Sequence, residues 1–116
     1  MKFLILLASA DHFDNWDATN GEERARFFFD YNAFADAVRH QGTLVAGDAL
    51  DRPTTARTVQ IGASRTVTEG PLAETVVQLG GFYLIDVADL DTAVALAKLL
   101  PREYQVEVRP TLGLEV

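Results

Sequence analysis

The spacing of apolar and polar positions predicts a chain that alternates between strands and helices. Short apolar or alternating runs are typical of strands, and the run at residues 81–87 is the clearest of them. The predicted strands are 2–9, 43–50, 81–87 and 104–110, with a β-hairpin at 57–68. The last strand places Tyr104, Val106 and Val108 on one face, although the alternation does not say whether that face is the inner one.

Two longer segments carry the helical spacing. The first follows Thr19, which has capping-box spacing to Glu22, and stops at Gly42. Its predicted apolar face is Phe27, Tyr31, Phe34, Ala35 and Val38. The second begins after an N-cap at Asp89 and ends at Pro101. Its predicted buried stripe is Leu90, Ala93, Val94, Ala97 and Leu100. Residues 10–21, between the first strand and the first helix, are predicted to be a polar loop.

Glycines mark the irregular points of the predicted strands. Gly70, in Glu69-Gly70-Pro71, is interpreted as the bend by which the chain leaves the hairpin. Gly80 and Gly81 precede a strand and not a helix, so they favour a bulge or a close backbone approach over a phosphate site. Gly47 is interpreted as a bulge in the second strand.

The element order β-α-β-(hairpin)-β-α-β predicts the fold class. It indicates an α+β, ferredoxin-like split βαβ sandwich with an added β-hairpin, in a single domain spanning 1–116. The two helices would cover one face of an antiparallel sheet. The central strands are apolar on both sides, so the other face would be a large exposed apolar patch. A second copy placed sheet to sheet would cover it, and we therefore predict a homodimer.

Charge and composition restrict the partners. The 116 residues carry a formal net charge of −7 with only two lysines, which argues against nucleic acid and against an anionic membrane surface. No apolar run approaches the roughly 18 residues of a membrane span, and the run at residues 3–8 is short for a signal peptide. The absence of cysteine excludes thiolate catalysis and cysteine-bound zinc, and it fits a cytoplasmic location.

No motif indicates a metal or a cofactor. His12 lies between Asp11 and Asp14, but no second histidine is near it in sequence, so these residues do not predict a metal site. Phosphate-loop, dinucleotide-binding and hydrolase motifs are also missing. The first helix is rich in aromatic residues, and we expect Phe28 and Phe29 to reach a protomer contact or to line a pocket that Trp16 could close.

Several segments together resemble the YCII-related family, in its DGPF-domain branch. The matching positions are Gly70, Pro71, Ala73, Glu74, Thr75, Gln78, Gly80, Gly81, Asp86, Leu90, Asp91, Ala93 and the run 107–110. The resemblance covers nearly the whole chain. It implies a ferredoxin-like fold that associates as a dimeric α/β barrel, with a small-molecule site between sheet and helices. It also implies an unsettled biochemical role, with a link to sigma-factor genes in the DGPF branch.

Two departures from the family pattern affect the chemistry. The Asp-Gly-Pro-Phe signature is Glu69-Gly70-Pro71-Leu72 here, which keeps the carboxylate and loses the aromatic ring. The histidine and aspartate proposed in relatives as an acid–base pair fall on Tyr31 and near Leu100. If that correspondence holds, the pair is absent, and whether the protein is an enzyme stays open.

The polar candidates for a ligand site are Tyr31, Asp48, Glu74 and Arg109. Tyr31 shares the apolar stripe of its helix, so a packing role is the alternative. Arg109 could pair with Glu74 or fasten the end of the last strand. The leading hypothesis is a homodimer of unknown function with a pocket formed by the first helix, the sheet and the loop after the hairpin. The alternatives are proton transfer on a small organic molecule and a non-catalytic interaction module in a transcription-associated pathway.

Overall fold

The computed structural model describes residues 1–72 and 77–114, and within them the chain forms six strands and three α-helices. In chain order they are β1 (Lys2–Ala10), α1 (His12–Asp17), α2 (Gly21–Gln41), β2 (Thr43–Ala49), β3 (Arg57–Val59), β4 (Val67–Glu69), β5 (Val77–Asp86), α3 (Leu90–Ala97) and β6 (Gln105–Pro110). A 3₁₀ turn at Pro53–Thr55 precedes β3.

Four strands form one antiparallel sheet in the order β2-β5-β1-β6. The crossover from β1 to β2 contains α2, and that from β5 to β6 contains α3, which gives the ferredoxin-like arrangement predicted from the sequence. Strands β3 and β4 pair only with each other, as the predicted hairpin. The hairpin ends at Gly70, whose φ of 94° only glycine adopts readily, so the predicted bend is confirmed.

The core lies between the sheet and the two long helices. Alternate residues of β1 are buried on this side, namely Phe3, Ile5 and Leu7, and they pack against Phe34 and Val38 of α2. Each of these large side chains contributes about 1.5–3 kcal/mol of transfer free energy when fully buried. Tyr104, Val106 and Val108 pack against the same core, which settles the face of the last strand.

The predicted stripe of α3 was partly wrong. Leu90 and Val94 are 44% and 39% exposed, whereas Leu96, which was not in the predicted stripe, is 3% exposed. The buried set is Ala93, Leu96, Ala97 and Leu100. Six of the eight helical residues are apolar, so the spacing alone allowed more than one stripe.

Two local predictions also need correction. The stretch 10–21 is not all loop, because α1 occupies His12–Asp17 after Asp11 turns the chain with φ of 50°. The irregularity in β2 falls at Val45, and not at Gly47, which faces the ring of Tyr83 so closely that a β-carbon would collide with it. Gly42 ends α2 as predicted, but with extended backbone, and its lack of a side chain lets the chain pass the carbonyl of Asp86.

The second face of the sheet carries apolar residues that none of the helices in residues 1–72 and 77–114 covers. Leu4 and Leu6 of β1 alternate with the buried residues, and they pair across the sheet with Leu84 and Phe82 of β5. We call these four residues, with Val45 and Leu79, the open face. Among the described residues, no helix combines the length and the apolar character that crossing a membrane requires.

Candidate functional site

A cavity of about 430 Å³ opens on the helix side of the sheet, between α1, α2, the end of β2, the middle of β5 and Tyr104, which precedes β6. Fifteen residues line it, and eight of them are aromatic: His12, Phe13, Trp16, Phe28, Tyr31, Phe82, Tyr83 and Tyr104. The ring of Phe82 belongs to the open face, so seven rings remain on the cavity side. We call it the aromatic cavity. Trp16 and Phe28 are among its lining residues, whereas Phe29 lies outside it and is 71% exposed.

Helix α1 forms one wall of the aromatic cavity and is tied to the sheet. The backbone N–H of Phe13 donates to Oε1 of Gln78 on β5, at 3.2 Å. Asn15 donates through Nδ2 to the carbonyl of Ala10 at the end of β1, at 3.0 Å. A six-residue helix is not stable alone, so these bonds and the packing of its rings determine its position.

Two arginines hold the outer side of the same wall. Arg24 of α2 donates to the carbonyl of Trp16 at 3.0 Å, and its guanidinium lies 4.7 Å from the centre of the indole ring. Arg52 donates to both carboxylate oxygens of Asp17 at 2.8 Å and lies 5.4 Å from the ring centre of Phe13. The rings of Trp16 and Phe13 are therefore each held in position by a guanidinium group packed against them.

His12 occupies a place that only a glycine at position 80 permits. Gly80 is the extra residue of a bulge in β5, because Leu7 pairs with Gly81 and Ala8 pairs with Leu79. A β-carbon on Gly80 would lie 2.8 Å from both Cε1 and Nε2 of the imidazole. The bulge predicted for the paired glycines is therefore confirmed, and its consequence is that the His12 ring lies directly on the strand.

The polar groups of the cavity wall come from separate elements. Tyr31 of α2 donates its hydroxyl proton to the hydroxyl oxygen of Tyr104, at 3.0 Å. The rings of His12 and Tyr104 have their centres 5.4 Å apart. Tyr83 of β5 packs against Phe34, with ring centres 4.8 Å apart. An imidazole and three phenols thus face one cavity that is otherwise mainly apolar.

Burial keeps these groups uncharged near neutral pH. Desolvation lowers the pKa of His12 below its ordinary value of 6.5, because the charged imidazolium is disfavoured. Desolvation raises the pKa of Tyr31, Tyr83 and Tyr104 above 10, and for Tyr31 the hydrogen bond that it donates to Tyr104 raises it further. The cavity therefore offers neutral hydrogen-bonding groups.

The structure brings together two of the four residues predicted for a ligand site. Tyr31 and Asp48 both line the aromatic cavity, and the Asp48 carboxylate accepts a bond from the N–H of Ala49 at 2.8 Å. Arg109 lies on the opposite side of the sheet, paired with Leu4, and its guanidinium is 2.6 Å from the Glu107 carboxylate. The fourth candidate, Glu74, lies outside the described residues.

Other carboxylates and aligned positions are accounted for differently. Glu69 is 88% exposed, with its carboxylate 4.0 Å from Arg57, so it has little to make it reactive. Leu100, near which the resemblance predicted the aspartate of the acid–base pair to fall, is buried in the core. Within residues 1–72 and 77–114, no group of three or more histidine, aspartate or glutamate side chains could hold a metal ion.

The residues missed by sequence reasoning are His12, Tyr83 and Tyr104. A histidine directly after a strand and a glycine pair at the next strand were both noted, but nothing in the sequence linked them. The loop after the hairpin, expected to contribute to the pocket, lines a separate groove with residues 50–56 and 77–79. That groove borders the undescribed residues, and the aromatic cavity is the better defined site.

Comparison with known proteins identifies a family and a relative of the chain. The family model of the YCII-related domain matches residues 1–109. An uncharacterized protein, R00369, of Rhizobium meliloti (strain 1021) is 39% identical over 98 residues, which cover 80% of this chain and 79% of the relative. The relative's name states no activity.

Proposed function

The chain belongs to the YCII-related domain family, and from this premise we propose that it is a homodimeric protein that binds a small, neutral, largely apolar molecule in the aromatic cavity. The observation that carries the proposal is the set of seven aromatic rings, those of the lining residues other than Phe82, around one opening of about 430 Å³. Ligand sites are commonly concave, mainly apolar and provided with a few placed polar groups. The finer assignment to the DGPF branch stays a prediction.

The size of the cavity indicates the size of the ligand. A cavity of about 150 Å³ lined by apolar side chains accommodates one benzene molecule. The aromatic cavity has nearly three times that volume. It therefore suits a compound of two or three rings, whose faces can stack against Trp16, Phe28 and Tyr83.

The polarity of the wall indicates a neutral ligand. His12, Tyr31 and Tyr104 are uncharged near pH 7 and can exchange hydrogen bonds with a carbonyl or hydroxyl group. A carboxylate ligand would be placed near Asp48 with no lysine or arginine among the lining residues. In this proposal Tyr31 and Asp48 contact the ligand, and Arg109 belongs to the dimer interface.

Homodimer formation is supported by the open face. Leu4, Leu6, Phe82 and Leu84 form a continuous apolar centre, and Glu107 and Arg109 of β6 flank it. Contiguous apolar surface of this kind marks an interaction site in soluble proteins. A second copy, sheet to sheet, would bury it and place the charged pair at the rim.

The shape of one chain also supports association. Its Cα radius of gyration is 15.9 Å, against about 13 Å for a compact domain of this length. Its extents of 47 × 42 × 17 Å describe a thin two-layer slab. The β3–β4 hairpin exposes Val59, Ile61 and Val67, which are 51%, 92% and 61% accessible. A slab with apolar residues on its outer side and on a projecting hairpin gains burial by dimerising.

The binding proposal is tested with 2-tetralone, a neutral two-ring ketone, as the probe. Trp16 is the one tryptophan in the chain and lines the cavity, so its fluorescence reports occupancy directly. We expect saturable quenching by 2-tetralone together with a rise in melting temperature. The anionic two-ring compound 2-naphthoate is expected to do neither at the same concentration.

A matched pair of variants distinguishes binding in the cavity from non-specific hydrophobic binding elsewhere on the protein. Ala49→Phe places a ring inside the cavity and is expected to abolish quenching, whereas Ala25→Phe adds the same ring at an exposed position of α2 and should leave it intact. The ligand site would be rejected if the two variants were quenched equally, or if no neutral two-ring compound quenched the wild-type protein. The absence of any quenching would favour the non-catalytic interaction module.

A further inference from the structure

One feature of His12 goes beyond what ligand binding requires. Within the described part of the chain, neither ring nitrogen of His12 takes part in a hydrogen bond. Both nitrogens keep some solvent accessibility, since no fully buried side-chain nitrogen there lacks a partner. A histidine kept only for packing would gain from a bond to a backbone or side-chain group. His12 instead keeps its nitrogens free at a cavity wall, on a ring that the missing side chain of Gly80 admits.

The tyrosine pair supplies a complementary group. Because Tyr31 donates to Tyr104, the Tyr104 oxygen already accepts a bond while its own proton has no acceptor among the described residues. A hydroxyl that accepts a hydrogen bond is polarised toward donating one. Tyr104 is therefore prepared to donate to an oxygen atom of a molecule in the cavity.

We propose that His12 and Tyr104 catalyse proton transfer at a carbon atom next to a carbonyl group, the keto–enol interconversion of a two- or three-ring ketone. The inference rests on the proposed binding function and adds a reaction to it. His12 and Tyr104 lie on one wall, with ring centres 5.4 Å apart, so one ligand of this size spans both.

The step is balanced without any further reactant. The neutral imidazole takes a proton from the α-carbon, and the electrons of the C–H bond form the C=C bond of the enolate. The carbonyl π electrons move to oxygen, where the Tyr104 hydroxyl stabilises the developing negative charge by a hydrogen bond. The imidazolium then returns its proton to the oxygen atom, which gives the enol; or, after its N–H has exchanged with D₂O, it delivers a deuteron to the carbon, which replaces the original hydrogen.

The groups facing His12 are compatible with a base that works near neutral pH. Tyr31 of α2, Tyr83 of β5 and Tyr104, which directly precedes β6, all have a pKa raised by burial and stay protonated. Asp48 of β2 is the acidic group lining the same cavity, and its carboxylate is engaged by the Ala49 N–H. The imidazole, whose pKa burial lowers, is thus the cavity group that is both neutral and basic.

The test is hydrogen exchange at the α-carbons of 2-tetralone in D₂O, followed by proton NMR, with the intact protein. We expect exchange above the buffer rate that saturates with 2-tetralone and rises with pH through the His12 titration. His12→Gln should lower the rate by about 100-fold or more, and Tyr104→Phe by about 100-fold, while both still show Trp16 quenching. His40→Gln, at the exposed end of α2, should leave the rate unchanged.

Two outcomes would overturn the inference, and they differ in what else they reject. If 2-tetralone quenches Trp16 but exchanges no faster with the wild-type protein than with His12→Gln, the catalytic role fails and the binding function stands. If 2-tetralone neither quenches nor exchanges, the binding function fails and the reaction that rests on it fails with it.

Discussion

At the scale of single residues, His12 gives the protein a pH dependence whose sign follows from burial. The pKa of His12 is below 6.5 in the folded state, so the unfolded chain binds the proton first as the pH falls. Stability is therefore complete above pH 6.5 and decreases between that pH and the folded-state pKa. Aspartate and glutamate side chains ordinarily titrate at lower pH, which leaves this window largely to histidine.

We predict that His12→Gln removes most of this decrease. Urea denaturation of the wild-type protein between about pH 7.5 and about pH 5 should show falling stability, and the variant should show a flatter curve. His40→Gln serves as the control, because His40 is exposed, and it should keep the wild-type slope. A slope that survives in His12→Gln would mean that His12 is not buried as described.

Gly80 is the second residue with a specific, testable role. We predict that Gly80→Ala displaces the imidazole, because the added carbon would lie 2.8 Å from two of its ring atoms. The ring should then move toward solvent, and the His12 pKa measured by NMR titration should rise toward 6.5. Gly21→Ala is the control, since nothing lies within 4 Å of its added carbon. An unchanged His12 titration in Gly80→Ala would contradict the close contact.

At the scale of elements, the start of α2 shows how a cap can differ from the one that the sequence indicates. Thr19 and Glu22 have capping-box spacing, but the N-cap is Asn20, whose Oδ1 accepts from the N–H of Glu23 at 2.9 Å. Thr19 is used otherwise: it donates to the carbonyl of Trp16 at 2.6 Å and accepts from Arg24 at 2.9 Å. It therefore links α1 to α2.

We predict that Asn20→Ala lowers the free energy of unfolding by about 1 kcal/mol, the usual cost of losing an N-cap side chain. Asn20→Asp keeps an acceptor oxygen at the same place and should stay close to the wild-type value. Glu22→Ala should have little effect, because its predicted capping partner is not the cap. A larger loss in Glu22→Ala than in Asn20→Ala would restore the original capping assignment.

Much of the fold could be predicted because strand and helix periods are local signals. The order of the long elements and the hairpin follow from apolar spacing and turn residues, and they are as predicted. Helix α1 was missed because six mainly polar residues carry too little periodicity to be distinguished from a loop. Its position depends instead on contacts distant in sequence, such as that between Phe13 and Gln78.

The candidate site was less predictable because it depends on which face each side chain takes. Tyr31 was found through its helical stripe, whereas Tyr104 was placed on a strand whose inner face was left undecided. Side chains alternate between the two faces along an extended strand, and Arg109 is five residues, an odd number, after Tyr104. Because Tyr104 faces the helices, Arg109 faces the opposite side of the sheet. His12 joins the cavity only through a bulge opposite β1, and no local pattern in the sequence predicts that pairing.

At the scale of the whole molecule, the two faces of the sheet have different roles. The helix side contains the core and the aromatic cavity, whereas the open face has apolar residues that no described helix covers. If two copies meet through the open faces, each keeps its own cavity on its outer layer. Ligand binding would then not depend on dimer formation, and 2-tetralone should still quench the Trp16 fluorescence of a monomeric variant.

We predict a solution mass of about 25 kDa, twice the 12.7 kDa of one chain, by light scattering after size exclusion. Leu6→Glu should halve this mass, because it puts a charge at the centre of the open face beside Glu107, across from Phe82. Phe29→Glu is the control, since Phe29 is 71% exposed on the helix layer, and this variant should remain dimeric.

A wild-type mass of 12.7 kDa at every concentration would reject the dimer. A dimer that persists in Leu6→Glu but dissociates on charging Ile61, at the hairpin, would move the interface from the sheet to the hairpin.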